Sequence, residues 1–188
     1  MEPTESMEPA AASNLGFGRR LVGAAMFDVA VYEDVEHDAA ATWQAAGVVG
    51  LVAIATALGG LRGGLGGPVA GVIGAYVGWA LWSGTCYLVG TQLFEGTANW
   101  GELLRTIGFA QAPGILFALV LLPALGVFLQ VAIFIWMIGT ALVAIRQALD
   151  FSTMRALATA LAGFVPYVLA RSLVEVLLGI QPSVLPRI

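Results

Sequence analysis

Phe94–Pro113 reads FEGTANWGELLRTIGFAQAP, the longest charged stretch inside a chain that otherwise avoids water. Residues 63–94 before it carry no charge, and residues 106–145 after it carry none either. Glu95, Glu102 and Arg105 therefore mark a loop held in water or headgroups between two apolar blocks. Crossing the hydrocarbon of a bilayer takes about 20 apolar residues in a helix, and blocks of this size satisfy that. The chain reads as an integral membrane protein, all-α, with a bundle of transmembrane helices.

Working back from the strip, Pro68 opens a span that continues to about Phe94. Ala70, Gly74 and Gly78 recur every fourth residue on one of its faces, the small-residue spacing that permits close helix contact. Before it, LGGLRGGLGGP is too glycine-rich for a stable helix and reads as a flexible turn. The first span precedes that turn, from about Thr42 to Leu61, with Trp43 as an interfacial anchor. From Leu15 to about Asp38 apolar residues recur at helical spacing while Asp28, Glu33, Glu36 and Asp38 fill other faces. Residues 15–38 thus form an acidic amphipathic helix that lies in the membrane interface or covers the ends of the bundle. Residues 1–14, rich in Pro, Glu, Ser and Ala, read as a disordered tail.

Working forward, Thr106–Ile145 is too long for a single crossing, and Leu122-Pro123-Ala124 falls near its middle. It divides into a third span, about Ile107–Leu122, and a fourth, about Leu125–Ile145, which contains Gln130 and Trp136. A polar loop at 146–155 leads to a fifth span, about Ala156–Leu178, carrying Pro166, Arg171 and Glu175. Residues 39–178 are then one five-span domain, and 179–188 a short tail. With the N-terminus inside, the inner segments hold Arg19, Arg20, Arg105, Arg146 and Arg155, against Arg62 and Arg187 outside. The positive-inside bias orients the chain with its N-terminus cytoplasmic and its C-terminus outside the cell membrane.

Composition narrows the function classes. The chain is 59% hydrophobic and 11% charged, with mean hydropathy +0.89. All eight basic residues are Arg, and eight of the twelve acids lie in the first 38 residues. A net charge of −4 without basic clusters argues against nucleic acid, whose binding needs arrays of phosphate-neutralising cations. Cys86 is the single cysteine, so neither a disulfide within the chain nor a multi-cysteine metal site can form. The first 20 residues lack the positive and then apolar pattern of a cleavable signal peptide.

Few residues are candidates for chemistry. Arg171 and Glu175 are four apart on one face of the fifth span, and intramembrane charges face the bundle, a wet cavity or the headgroups. Pro113 and Pro166 each free a backbone carbonyl within a span, a kink that Gln111 is placed to satisfy beside Pro113. Glu33, Asp34 and His37 have the helical spacing of a weak metal site, with a solvated acidic face as the plainer reading. No HExxH, P-loop, GxSxG or paired intramembrane aspartates are present, so no metal, cofactor or enzymatic activity is expected.

Three runs in this order carry a family likeness: RRLVGAAMFDVAVYEDVEHD at 19–38, TIGFAQAPGIL at 106–116, and IRQALDFSTMRAL at 145–157 leading to GFVPYVL. With its five expected spans, the chain resembles the Yip family of membrane proteins, named for interaction with Ypt/Rab GTPases, and its prokaryotic members above all. The resemblance covers roughly residues 16–178. It implies a non-enzymatic protein that organises membrane or recruits partners through cytoplasmic loops. The expected partners are the lipid bilayer, a protein at the cytoplasmic face, and further copies of the chain. The competing expectation is a small oligomeric transporter or channel using Arg171, Glu175, Gln130 and the proline-broken helices.

Overall fold

The computed structural model describes residues 15–60, 66–121 and 126–177. Its described residues are helical, without strands. The expected tails at 1–14 and 179–188, the centre of the glycine-rich turn, Arg62 and Arg187 lie outside them.

Residues 15–38 form two helices rather than one, α1 (Phe17–Ala25) and α2 (Val29–His37), folded into a hairpin. The turn has a local cause. Phe27 adopts φ 62°, its amide donates to Ala24 O at 3.3 Å, and the Asp28 amide donates to Gly23 O at 2.9 Å. That pair of bonds is the Schellman closure, which here places a bulky residue in the position that glycine usually takes. Asp28 then caps α2, its carboxylate accepting from the Ala30 amide at 3.1 Å. Gly23 is required by the close approach of the two arms, since a Cβ there would meet Val31 Cγ2 at 2.5 Å.

α3 (Ala41–Gly60) and α4 (Gly66–Phe94) are long and apolar all round, the pattern of helices surrounded by other helices and lipid. The strip after α4 is not simply a loop. Asn99 and Glu102 form a reciprocal capping box that starts α5 (Trp100–Ala110). From Leu103 to Ala110 α5 is largely buried, so the second half of the strip, Arg105 included, folds into the protein while Glu95 stays exposed. Its end has a sequence cause too: Pro113 has no amide hydrogen to continue an α-helix. The chain tightens into a 3₁₀ segment, Ala112–Leu121, with Gly114 N donating to Gln111 O at 2.8 Å. Gly114 lets this segment pass closely between helices, because a Cβ would meet Val52 at 2.8 Å and Met137 at 3.1 Å.

α6 (Gly126–Ala148) and α7 (Thr153–Leu177) follow, joined by a four-residue turn at 149–152 in which Asp150 has φ 54°. α7 runs beside α4, where Gly163 meets Cys86 and Gly78 meets Tyr167. Among the described residues three stretches are long and apolar enough to cross a membrane: Ala41–Leu58, Gly71–Phe94 and Gly126–Ala148. Thr153–Leu169 is a shorter apolar helix. The expected third span is the end of α5 plus the 3₁₀ segment, whose 10 residues reach only about 20 Å at a rise of ~2.0 Å per residue.

The core sits where α2, α3, α5 and α6 meet. Val31, Tyr32, Val35, Val48, Val49, Leu103, Ile107, Phe109 and Ile145 are all sealed from solvent. Taking one such apolar side chain out of water stabilises by about 1.5–3 kcal/mol, so the hairpin is part of the folded body rather than an appendage.

Candidate functional site

Charge collects at one end of the bundle, on the hairpin, the start of α3, α5 and the α6–α7 turn. Its centre is Arg20, only 1% exposed although it sits on the amphipathic helix α1. Its Nε donates to Asp34 Oδ2 at 2.7 Å, its Nη2 pairs with Asp38 Oδ2 at 2.8 Å, and its Nη1 donates to Gln44 Oε1 at 3.1 Å. The planar fork of arginine suits three acceptors on two elements in a way a lysine ammonium does not. Burial works against this charge, but the bonds and field of Asp34 and Asp38 outweigh it and hold Arg20 above its ordinary value. In return, the hydrogen bond from Arg20 holds the Asp38 carboxyl below the usual range, against the opposing effect of burial.

Arg105, on α5, is the second buried arginine and acts on the backbone. Its Nε donates to Val35 O at 3.0 Å, and its Nη2 donates to Glu36 O. These are carbonyls of the last turn of α2, left without helical partners, and the cation also offsets the negative end of the helix. Tyr32 ties the same helix inward, sharing its hydroxyl hydrogen between Ala24 O at 3.0 Å and Thr140 O at 3.3 Å. Burial pushes the Tyr32 phenol up.

Around this buried centre lies an acidic rim. Glu36 is raised to about 7, first by burial and then by the charges of Glu102, Asp150 and Glu33, with His37 opposing. His37 is raised as well, chiefly because its Nδ1 bonds to Glu33 O at 2.8 Å. Gln147 donates to Glu33 Oε1 at 3.3 Å, and Thr97 to Asp150 Oδ2 at 3.2 Å, linking the rim to the α6–α7 turn. A shallow depression of about 420 Å³ opens there, lined by Arg146, Gln147, Asp150, Phe151, Ser152 and Thr153.

Few of the residues singled out from sequence lie together. Glu33, Asp34 and His37 share α2, but Asp34 is taken by Arg20, and His37 bonds to a backbone carbonyl. Gln111 is the half-buried C-cap of α5, and Pro113 is the second residue of the 3₁₀ segment that follows it. Pro166 is inside α7. Gln130 is exposed on α6 beside Val131, far in sequence from either proline. Arg171 and Glu175 are on the last turns of α7, and their side chains lie outside the described residues, as does that of Ala70. Gly74 has open space around it, while Gly78 packs against Tyr167. Arg20 and Arg105, the organising residues, had no local signal as a pair, because their partners lie 14 and about 70 residues away. Asp28 did carry one: an aspartate directly before an apolar run is a helix start.

A family model, the Yip1 domain, matches residues 21–170, from the hairpin through most of α7. The chain therefore belongs to the Yip1-domain family. It is a membrane protein of the Yip type, and that family is not known as one of enzymes. No curated protein and no solved structure matches the chain.

Proposed function

We propose that this Yip1-family chain is a non-enzymatic protein of the cell membrane that recruits partners and organises lipid through its charged end. In this reading the N-terminus, the open end of the hairpin, the start of α5 and the α6–α7 turn are on the cytoplasmic side, and the C-terminus is outside. One observation carries it. Arg20 and Arg105 are used up inside the fold, and on the surface of this end the carboxylates Glu33, Glu36, Glu95, Glu102 and Asp150 outnumber the remaining cations Arg19, Arg146 and Arg155. Such a surface has groups for recognition and none poised as a nucleophile with its base. Its sign suits a protein partner with a basic segment.

Deleting residues 15–38 would not isolate this role, because Val31, Tyr32 and Val35 belong to the core. Surface substitution does. Glu33→Lys with Asp150→Lys leaves the core untouched, and neighbours in the native membrane are then compared by proximity labelling. Loss of specific neighbours at unchanged membrane insertion is expected, and an unchanged set overturns the proposal. A solute or proton flux in proteoliposomes that falls in Glu175→Gln would replace it with the transporter reading.

A further inference from the structure

We propose that the α1–α2 hairpin is a membrane-dipping element whose tip contacts the acyl chains of one leaflet. This deepens the scaffold reading, and rests on it, by naming the lipid contact made by the hairpin. Depth is the first argument. Trp136 Nε1 donates to Ala25 O at 2.7 Å, and a Cβ on Gly139 would meet the Phe27 ring at 2.9 Å, so the tip lies against 136–139 of α6. The polar end of that spanning helix is Arg146, ten residues beyond Trp136. At 1.5 Å per residue the tip's contacts, from Gly139 to Trp136, then lie about 10–15 Å below that end along the helix, a third to a half of the hydrocarbon thickness.

The second argument is the surface. Val22 and Met26, one turn apart on α1, are 63% and 66% exposed, and Phe27 and Val29 are also exposed. On α6, which the tip touches at Trp136 and Gly139, Phe134, Ile135 and Ile138 are exposed too, so the tip packs on a spanning helix that is itself apolar on its surface. The charged groups Arg19, Glu33 and His37 gather towards the open end of the hairpin, which Gln147 ties to the end of α6.

Backbone bonding is the third. Irregular backbone is tolerated at membrane depth only where its polar groups find partners in the protein. The amides of Met26, Phe27 and Asp28 all donate within the turn, and Ala24 O and Ala25 O accept from Tyr32 and Trp136. A turn in water has no need of the last two bonds. Asp28 is the one charge at the tip, and its carboxylate accepts from Ala30 N at the positive end of α2.

The test is depth measurement on the full chain in phosphatidylcholine–phosphatidylglycerol liposomes. In a Cys86→Ala background, Met26→Cys, Glu33→Cys and Ile54→Cys each carry a nitroxide, and collisions with oxygen and with a water-soluble nickel chelate are compared. At position 26 the oxygen-to-nickel ratio is expected to be several-fold above that at 33 and close to that at 54. Nickel access at 26 equal to that at 33 overturns the inference, and leaves the partner reading to the labelling experiment. Shielding from both reagents also overturns it, since a second copy or another protein then covers the tip. Val22→Cys repeats the measurement if Met26→Cys fails to insert.

Discussion

Replacing Arg20 with methionine keeps much of the side-chain volume and removes the charge that joins α1 to α2 and α3. Asp34, with its side chain 9% exposed, is left as a buried carboxylate, and Gln44 loses a donor. Deleting one partner of a buried pair costs about 3–5 kcal/mol. Asp38 is 28% exposed and recovers part of its hydration, which favours the lower end of that range. About 3 kcal/mol is ~10²-fold in an opening equilibrium. The effect belongs to the hairpin, because the ion pairs join α1 to α2 and do not reach α7. Hydrogen exchange on the protein in nanodiscs reads it directly. Peptides from 17–37 in Arg20→Met should exchange about a hundred times faster, with α4 and α7 unchanged, at the free-energy scale just given. Arg20→Lys should recover only part of the protection, since it keeps the charge but not the three-way geometry. A change below about threefold, under 1 kcal/mol, would show that the pairs are worth no more than surface ones and refute the reasoning. An equal change in all helices would refute its local assignment.

Four further outcomes are expected. Glu36 is pushed up to about 7, so the folded state binds a proton that the unfolded state releases near its ordinary value of 4.5. Stability should therefore fall as pH rises through that window and level off above it, and Glu36→Gln should flatten the thermal-melting profile there. Asn99→Ala removes the capping box of α5 and should lower stability by about 1 kcal/mol in chemical unfolding, with Asn99→Ser, which keeps the capping oxygen, closer to wild type. Gly139→Leu fills the space of the Phe27 ring, so exchange at 26–28 should rise while the α6 amides near 145 keep their protection. Arg105→Met strips the last-turn carbonyls of α2 of their donor, and should loosen 33–37 without affecting 17–22.

Much of the fold was legible in the sequence because bilayer crossing is a one-dimensional property. Length, apolarity and absence of charge mark α3, α4 and α6 wherever they end up in space. The same reasoning did not show that Pro113 turns part of the third apolar run into a 3₁₀ segment, Ala112–Leu121, in place of a continuous α-helix. It also took Glu102 and Arg105 for loop charges. Charge in a sequence says that a group needs a partner, and not whether that partner is water or, as for Arg105, carbonyls on a helix about 70 residues earlier.

Hydrophobic length and short motifs persist without knowledge of contacts, and they suffice to read a helical membrane protein of the Yip type from the chain alone. That residues 15–38 fold back on themselves, that Arg20 and Arg105 are interior, and that most of α5 is packed became visible in three dimensions. Those outcomes depend on which distant carboxylates and carbonyls come within hydrogen-bond reach, and that distance is set by packing, to which spacing along the chain gives no access.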